Sequence, residues 1–597
     1  MVKSRIAVVL LLIAVQSLLV QADLPVHCVR SQITGKWLLR EGKILASNNS
    51  KPVSCGHQIP DKAETSNTAM DGILAEVERE HEVFLDEDFT VRGKEGNGKW
   101  TLVYDEGWEI EYNGVKYTHF FKYAKDNSGQ YKSVCSQTLV GWYNHIQKKS
   151  RGCSQAIKAD AVEEFSDNVQ QAHVVQPKET QYIFSEISST MNKLNSQQEQ
   201  QKSQKINASN SLKRQQLSSK SKFHQSIYLK PHENVFAQMK QTPGTLLNHQ
   251  EIVKRLNSIK GSTWSAKVPS FLSTMSLEQM NTRAGLRMNK PKYSYDNKQG
   301  SFIQKSSSSS SLRGNKATST TDFAHFSMEN VSDLPKSFDW AEYIHAPRSQ
   351  EDCGSCYAIA TTSMLSSRLW IKYGDNTQLS PQHSLACNYY NQGCDGGYGF
   401  LVSKFYSEFE AVPESCHPYE ARDGQCNHCN VESLSEVFTV TDYEYIGGSY
   451  GKSTERLMME EIHKNGPIVV SFEPKMDFMY YNKGIYHSVD ANQWIQNNEE
   501  NPVWQKVDHS VLCYGWGEDE NGKYWLLQNS WGEEWGENGN FKMRRGTDES
   551  NIESMGERAN IVKSARKSAN TTEFTSTYSS HSDKYFVEKS KNSRRKQ

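Results

Sequence analysis

The segment around Cys356 constrains the fold of this chain more than any other feature of the sequence. Residues 350–357 are Gln-Glu-Asp-Cys-Gly-Ser-Cys-Tyr, and apolar residues with helical spacing follow them. Gly374 is the expected end of this helix. Cys356 is then placed at a helix N-terminus, where free backbone N–H groups and the helix dipole favour a thiolate. The segment therefore predicts a nucleophilic cysteine.

Two later motifs can complete a catalytic group with this cysteine. His509 precedes an apolar run, and Asn529 begins the sequence Asn-Ser-Trp-Gly. A cysteine nucleophile needs an imidazole that takes its proton and later protonates the leaving group. An asparagine side chain can hold that imidazole through a hydrogen bond. The alternative interpretation is a structural cysteine and a core histidine.

The region 23–153 has a β pattern. Residues 99–104, 108–112 and 115–120 are strand-like runs, and Asn113 and Gly114 separate the last two. An Asn-Gly pair between such runs predicts a hairpin, because both turn residues must take positive φ. Several strands with four cysteines predict a small barrel or sandwich.

The first 22 residues have the pattern of a cleaved signal peptide. Lys3 and Arg5 precede an apolar run, and small residues end at Ala22. A membrane anchor is the alternative, but residues 6–22 are short for a span, so no stable membrane span is expected. Cleavage after Ala22 makes Asp23 the mature N-terminus. The expected location is the secretory pathway, followed by a lysosome-like or vacuolar compartment or secretion.

Two further regions have too little apolar content for a core. Residues 154–332 are rich in Gln, Asn, Ser and Lys, and residues 563–597 form a basic tail that we predict to be disordered. Within the former, 252–288 has near-helical apolar spacing, which predicts either a piece that docks on a neighbouring domain or an ordinary linker helix. The formal net charge of −1 gives no argument for a nucleic-acid partner.

The motifs in 333–562 resemble those of the papain-like cysteine proteases. The resemblance rests on Gln350, Cys356, the Gly-Cys-Asp-Gly-Gly run at 393–397, His509 and Asn529. It implies that Cys356 is the nucleophile, that His509 is the general base and acid, and that Asn529 orients the imidazole. It also implies that Gln350 and the backbone N–H of Cys356 hold the oxyanion.

The N-terminal region is similar to the exclusion domain of the cathepsin C branch of this family, at residues 23–28, 107–110 and 120–123. Only 252–288 of the middle region resembles the propeptide of that branch. The implied fold is α+β, with a papain-like two-lobed catalytic domain preceded by a small β-barrel exclusion domain. Such a barrel blocks the non-primed end of the cleft.

The resemblance implies roles for further residues. The Asp23 carboxylate binds the substrate's free α-ammonium, so that dipeptides leave one after another. The substrate-binding residues implied beside it are Gly396, Gly397 and Met555.

The same branch binds chloride beneath the pocket for the first substrate residue. The counterparts here are Tyr398, Phe400 and Tyr445. Phe400 stands where the branch has a tyrosine, and a phenyl ring cannot donate to an anion, so chloride dependence is in doubt. The backbone N–H of Tyr398 and the hydroxyl of Tyr445 are the remaining candidate donors. No metal is expected.

The resemblance also implies five disulfides and leaves two cysteines free. Cys513 lies in an apolar run and is expected to be a small buried hydrophobe, while Cys356 must be free to act. Spacing alone could not have given the pairs. They are Cys28–Cys135, Cys55–Cys153, Cys353–Cys394, Cys387–Cys426 and Cys416–Cys429.

The sequence therefore predicts a papain-type cysteine exopeptidase that removes dipeptides from the free N-termini of peptides and proteins. Proteases are expected to process residues 154–332, and the resemblance implies a homotetramer. Two alternatives remain open at this point. One is an endopeptidase whose β-domain has another role, and the other is a catalytically inactive secreted binding homologue.

Overall fold

The chain was analysed in a computed structural model that describes residues 26–46, 53, 55, 57–59, 62–63, 76–125, 131–159, 249–275, 334–426, 429–489 and 509–566. The expected signal peptide at 1–22, Asp23, most of the middle region and most of the basic tail lie outside these residues. The chain divides into a unit of residues 1–158 with 239–597 and a second unit of 159–238. All helices and strands of the described residues belong to the first unit.

The N-terminal part of this unit is a closed antiparallel β-barrel. Eight strands follow one another in the order β1-β4-β5-β6-β7-β8-β10-β11, and β11 pairs with β1 to close the ring. A closed ring leaves no free edge along the barrel. A short helix, α1 (Arg30–Ile33), precedes it. The strands are β1 (Gly35–Ala46), β2 (His57–Ile59), β3 (Lys62–Ala63), β4 (Arg79–Leu85), β5 (Thr90–Gly93), β6 (Gly96–Val103), β7 (Gly107–Tyr112), β8 (Val115–Lys125), β9 (Tyr131–Thr138), β10 (Gly141–His145) and β11 (Ser150–Lys158).

Local sequence explains the predicted hairpin and the barrel core. Asn113 and Gly114 have φ values of 50° and 71° and join β7 to β8, as the Asn-Gly pair predicts. Inside the barrel, the buried rings of Trp37 and Trp108 meet edge to face at 4.4 Å. The barrel continues to Lys158 rather than ending at 153, because β11 pairs with β1 as far as Trp37 and Lys158.

The C-terminal domain combines helices with a second sheet. The sheet order is β12-β16-β19-β18-β17-β15-β20-β14, and β13 pairs with β17. The helices are α2 (His249–Asn257), α3 (Cys356–Tyr373), α4 (Pro381–Cys387), α5 (Gly399–Glu408) and α6 (Glu455–Asn465). The strands are β12 (Trp264–Ala266), β13 (Phe338–Asp339), β14 (Glu436–Tyr445), β15 (Ile468–Phe472), β16 (Tyr481–Tyr486), β17 (His509–Asp519), β18 (Gly522–Gln528), β19 (Asn540–Arg544) and β20 (Gly556–Ala565).

This architecture confirms the α+β fold with a β-barrel before a papain-like domain. Helix α3 ends at Gly374, which has a left-handed φ of 67°. The domain extends past 562, since β14 pairs with β20 as far as Glu436 and Ala565. Residues 563–565 therefore belong to a strand and not to the basic tail. Among the described helices, none is long and apolar enough to cross a membrane.

The piece of the middle region that the structure describes is docked on this domain. Strand β12 pairs with β16 at the edge of the sheet. The indole N–H of Trp264 donates to the carbonyl of His487 at 2.9 Å, and the N–H of Lys267 donates to the carbonyl of Tyr480 at 2.8 Å. The described part of this segment is therefore docked on a neighbouring domain, which was one of the two expectations, and is not an ordinary linker helix.

Candidate active site

Cys356 is the first residue of α3, and the loop before it is fixed on both sides. The N–H of Gly354 donates to the carbonyl of Cys394 at 2.8 Å, and Cys353 and Cys394 form a disulfide. A Cβ on Gly354 would lie 2.6 Å from the same carbonyl oxygen, so only glycine allows this close approach. Cys356 itself is half-buried and not in a disulfide. The nucleophile is thus held where the N–H groups of the helix end can stabilise its thiolate.

Gln350 lies beside this loop with its amide oriented by two hydrogen bonds. Its Oε1 accepts from the hydroxyl of Ser530 at 2.6 Å, and its Nε2 donates to the carbonyl of Cys353 at 3.0 Å. The side chain is buried. Because an amide nitrogen carries two hydrogens, one N–H of Gln350 remains to hold an oxyanion together with the backbone N–H of Cys356.

His509 and Asn529 are joined by a buried hydrogen bond of 2.7 Å between Nε2 and Oδ1. Oδ1 accepts, so Nε2 carries the proton and Nδ1 of the neutral ring is an acceptor. Within the described residues, Nδ1 makes no hydrogen bond. It is therefore the atom that can take the proton of a thiol.

Aromatic rings keep water away from this imidazole. The ring centroids of Trp531 and Phe472 lie 5.1 and 5.7 Å from that of His509. Burial lowers the pKa of His509 to about 4, although its hydrogen bond with Asn529 opposes the change. The imidazole is consequently neutral in mildly acidic water and can act as a base.

The two halves of the domain each supply part of this group. Cys356 comes from α3 and His509 from the first position of β17, and α3 packs against β17. The ten cysteines of the expected pairs form those five disulfides in the structure, whereas Cys356 and Cys513 form none, and Cys513 is buried.

The glycine-rich loop at 396–399 leads into α5. A Cβ on Gly397 would lie 2.6 Å from Oδ1 of Asn391, which already accepts the N–H of Tyr398 at 2.9 Å. Gly396 precedes it with a φ of 125°. Met555 is buried just before β20, where its carbonyl accepts the N–H of Ser471 at 3.2 Å.

Of the three residues expected to hold chloride, only Tyr445 keeps a donor for an anion, since its buried hydroxyl has no hydrogen-bond partner within the described residues. The N–H of Tyr398 is already used by Asn391, and Phe400 offers only a phenyl ring, stacked on Tyr445 with centroids 4.8 Å apart. Burial, followed by the nearby charge of Glu557, raises the pKa of Tyr445 well above its usual range. An anion here would lie beside a carboxyl group that repels it whenever it is ionised.

A barrel turn that no sequence motif predicts reaches the catalytic domain. The hydroxyl of Tyr104 donates to Ser471 at 3.0 Å and to Glu557 at 3.5 Å, and its ring lies 4.4 Å from that of Tyr398. The hydroxyl of Tyr398 in turn donates to the carboxylate of Glu106. Residues 104–106 connect two strands, and nothing local shows which domain such a turn will face.

Asp23 lies outside the described residues, but the segment that follows it is anchored at this turn. The N–H of Cys28 donates to the carbonyl of Asp105 at 2.7 Å, and Nδ1 of His27 lies 3.2 Å from an Asp105 carboxylate oxygen. Val26 is fully buried. The first described residues of the chain thus lie beside the turn that contacts Tyr398.

Residues 334–559 match the model of the papain family cysteine proteases, and residues 23–158 match that of the cathepsin C exclusion domain. The C-terminal domain is therefore a papain-family cysteine peptidase domain. The barrel before it is a cathepsin C exclusion domain.

Two curated proteins and one solved structure are among those similar to the chain. The chain is 35% identical to "Cathepsin C" of Schistosoma mansoni over 309 residues, covering 49% of this chain and 66% of that one. It is 25% identical to "Dipeptidyl aminopeptidase 1" of Plasmodium falciparum over 689 residues, covering 89% of this chain and 93% of that one. The solved procathepsin L 3 of Tenebrio molitor larval midgut is 22% identical with a TM-score of 0.40, covering 52% of this chain and 88% of that one.

Proposed function

We propose that this chain is a cysteine dipeptidyl peptidase that removes dipeptides from the free N-termini of peptides and proteins. The contact of the barrel turn with the catalytic domain carries the proposal. Tyr104 reaches Ser471, which is followed by Phe472, the residue that packs on His509. A barrel placed this close to the imidazole leaves room for only a short stretch of substrate before the scissile bond.

The chemistry follows from the geometry of the site. Nδ1 of His509 takes the proton of the Cys356 thiol, and the thiolate attacks the carbonyl carbon of the substrate's second residue. Gln350 and the backbone N–H of Cys356 hold the oxyanion. The imidazolium then protonates the leaving amine, and a dipeptidyl thioester remains on Cys356. Water, deprotonated by His509, hydrolyses this thioester and releases the dipeptide.

Recognition of the substrate's amine is assigned to Asp23. It lies three residues before buried Val26, and three extended residues span at most about 10 Å. The covalent length of this segment allows the Asp23 carboxylate to reach the barrel turn at 104–106. A carboxylate paired with an ammonium in a partly dry cleft fixes a two-residue register.

The decisive experiment compares two fluorogenic dipeptides, one with a free amine and one N-acetylated, on active-site-titrated protein. We expect hydrolysis of the free-amine substrate, near-complete loss on acetylation, and no activity in Cys356→Ala. Asp23→Asn should raise KM for the free-amine substrate, and Asp23→Glu should restore part of the loss.

The other outcomes identify the two rivals. Equal cleavage of both substrates would establish the endopeptidase and sink the dipeptidyl proposal. No cleavage of either, with Cys356 unreactive toward an epoxide or vinyl-sulfone warhead in the processed protein, would establish the inactive binding homologue.

We further propose that the chain enters the secretory pathway, is cut by other proteases within 154–332, and acts in a lysosome-like or vacuolar compartment or after secretion. N-terminal sequencing of the purified mature protein tests both the cuts and the Asp23 terminus. The homotetramer that the resemblance implies is a prediction for sedimentation equilibrium.

A further inference from the structure

Five side chains of alternating charge cross the boundary between the barrel and the peptidase domain. Their order is Arg151, Glu408, Lys404, Glu109 and Lys116, and the successive ion pairs are 3.3, 3.0, 3.0 and 3.3 Å long. The barrel supplies the first, fourth and fifth, and α5 supplies the other two. We call this set the charge chain.

The charge chain is largely shielded from water. Lys404 is 0% exposed, Arg151 1% and Glu109 7%, while the Lys116 side chain at the outer end is 23% exposed. Burial raises the pKa of Glu109, but Lys116 and Lys404 together lower it to about 2. Burial lowers the pKa of Lys404, but Glu109 and Glu408 raise it well above its usual range. The buried members of the charge chain therefore depend on their neighbours to offset the loss of hydration.

Polar groups from both domains complete the arrangement. The hydroxyl of Tyr443 donates to Glu109 at 2.8 Å, and the side-chain amide of Asn144 donates to Glu408 at 2.7 Å. Arg151 donates to the hydroxyl of Tyr389 at 3.0 Å. A small slide of the two domains would separate several of these charges at once, so the network favours the docked position.

The charge chain is connected directly to the elements that close the cleft. Lys404 and Glu408 lie on α5, which the glycine-rich loop and Tyr398 immediately precede. Glu109 lies on β7, which begins at Gly107 directly after the turn that carries Tyr104 and Glu106. The two elements that meet at the cleft are therefore the same two that the charge chain joins.

No disulfide shares this task among the described cysteines. Each of the five bonds joins two cysteines of the barrel or two of the peptidase domain. A cut in the middle region would thus leave the barrel held by non-covalent contacts.

We propose that the charge chain is the positioning device that keeps the barrel over the non-primed end of the cleft, with Lys404 as its central positioning residue, and so sets dipeptide release rather than internal cleavage. This inference rests on the proposed function. Removing the central cation leaves Glu109 and Glu408 facing each other, each with one cation instead of two, which favours withdrawal of β7 and its turn from the cleft.

Lys404→Met tests the inference because it keeps the length of the side chain and removes the charge. The measurement is kcat/KM for the free-amine and N-acetylated substrates, each divided by the fraction of Cys356 that a warhead titrates. We expect kcat/KM for the free-amine substrate divided by kcat/KM for the N-acetylated substrate to fall by about tenfold or more. The cause would be a higher KM for the free-amine substrate and new cleavage of the acetylated one.

Two further variants separate positioning from general damage. Glu109→Gln added to Lys404→Met removes one of the two facing carboxylates and should restore part of the ratio. Arg456→Met removes one side of an exposed helix pair with Glu460 and should leave the ratio unchanged. If Lys404→Met does not fold, Lys116→Met at the wetter end should move the ratio in the same direction by a smaller factor.

The contrary results are equally clear. A wild-type ratio per reactive Cys356 in Lys404→Met, or a proportional loss of both activities, would overturn the inference and leave a purely structural role. Equal cleavage of the two substrates by the wild-type protein would refute the proposed function and, with it, this inference. That result is visible before any variant is made.

Discussion

The catalytic group and the charge chain are both buried and polar, yet they are built from different kinds of groups. At the catalytic centre, a neutral imidazole is bound by a neutral amide, and burial lowers the pKa of His509 to about 4. In the charge chain, opposite charges hold one another in the ionised state, and the pKa of Glu109 falls to about 2.

The difference follows from what each region must do. A catalytic base has to gain and lose a proton within each turnover, so its two forms must be close in free energy. A docking network has to keep one state, so its ionised form must be favoured strongly. Glu557 is the exception in the boundary region, since the groups that act on its pKa include Tyr104 and the N–H of Phe400 but no cation.

The first test removes the imidazole of His509. His509→Ala should lower kcat/KM by about 10²–10⁴-fold or more, because the thiol then has no partner for its proton. The melting temperature should change far less than the rate. Asn529→Ala, which leaves the imidazole in place, is the matched control and should lose less activity. Comparable rates for His509→Ala and wild type would show that another group is the base.

The second test is the pH dependence that the neutral imidazole implies. Activity should fall as the pH drops through about 4, where His509 becomes protonated and cannot accept the thiol proton. Stability from the buried neutral ring should be complete above its ordinary pKa of 6.5 and be lost as the pH falls to about 4. A kcat/KM profile and a melting curve at each pH check both. An acid limb that remains near 6.5 would contradict the shift.

The third test concerns the exceptional carboxyl group. Burial raises the pKa of Glu557 from 4.5 to about 8. The stability that its protonated form contributes should therefore be complete below pH 4.5 and be lost as the pH rises to about 8. Glu557→Gln should flatten this decline, with a gain at the alkaline end on the order of a few kcal/mol. Melting temperatures across this range measure it, with the exposed Glu520→Gln as control. Parallel curves for Glu557→Gln and wild type would refute it.

The smallest expected effect is that of chloride. Of the three residues expected to hold chloride, only Tyr445 has a donor left, so replacing chloride by gluconate at constant ionic strength should change kcat/KM by less than about twofold. The melting temperature should be equally insensitive, because an anion that binds the folded state would raise it. A saturable activation by chloride would show that the site accepts the anion after all.

Residues that belong to short local motifs could be predicted from the sequence. Cys356, His509 and Asn529 each lie in a short run that specifies its own neighbourhood, and the turn at Asn113 follows from backbone sterics alone. The α+β fold with its barrel was accessible for the same reason. The domain limits were less so, because pairing of β11 with β1 and of β20 with β14 depends on partners far along the chain.

The boundary region could not be predicted in this way. Lys404 lies on a helix and Glu109 on a strand almost three hundred residues earlier. Nothing in the sequence around either residue indicates that the two form an ion pair. A buried lysine is recognisable only once its counter-charges are in place. The chloride expectation was weakened for a related reason, since the use of the Tyr398 N–H by Asn391 becomes visible only in three dimensions.

The docked strand β12 has a consequence for the mature molecule. It covers the edge strand β16, whose backbone groups would otherwise be open to pairing. Cuts on both sides of 249–275 would leave a fragment that is retained by backbone hydrogen bonds and by the indole of Trp264. The processed protein would then consist of three non-covalently associated chains. The smallest of them would keep β16 from pairing with the edge strand of another molecule.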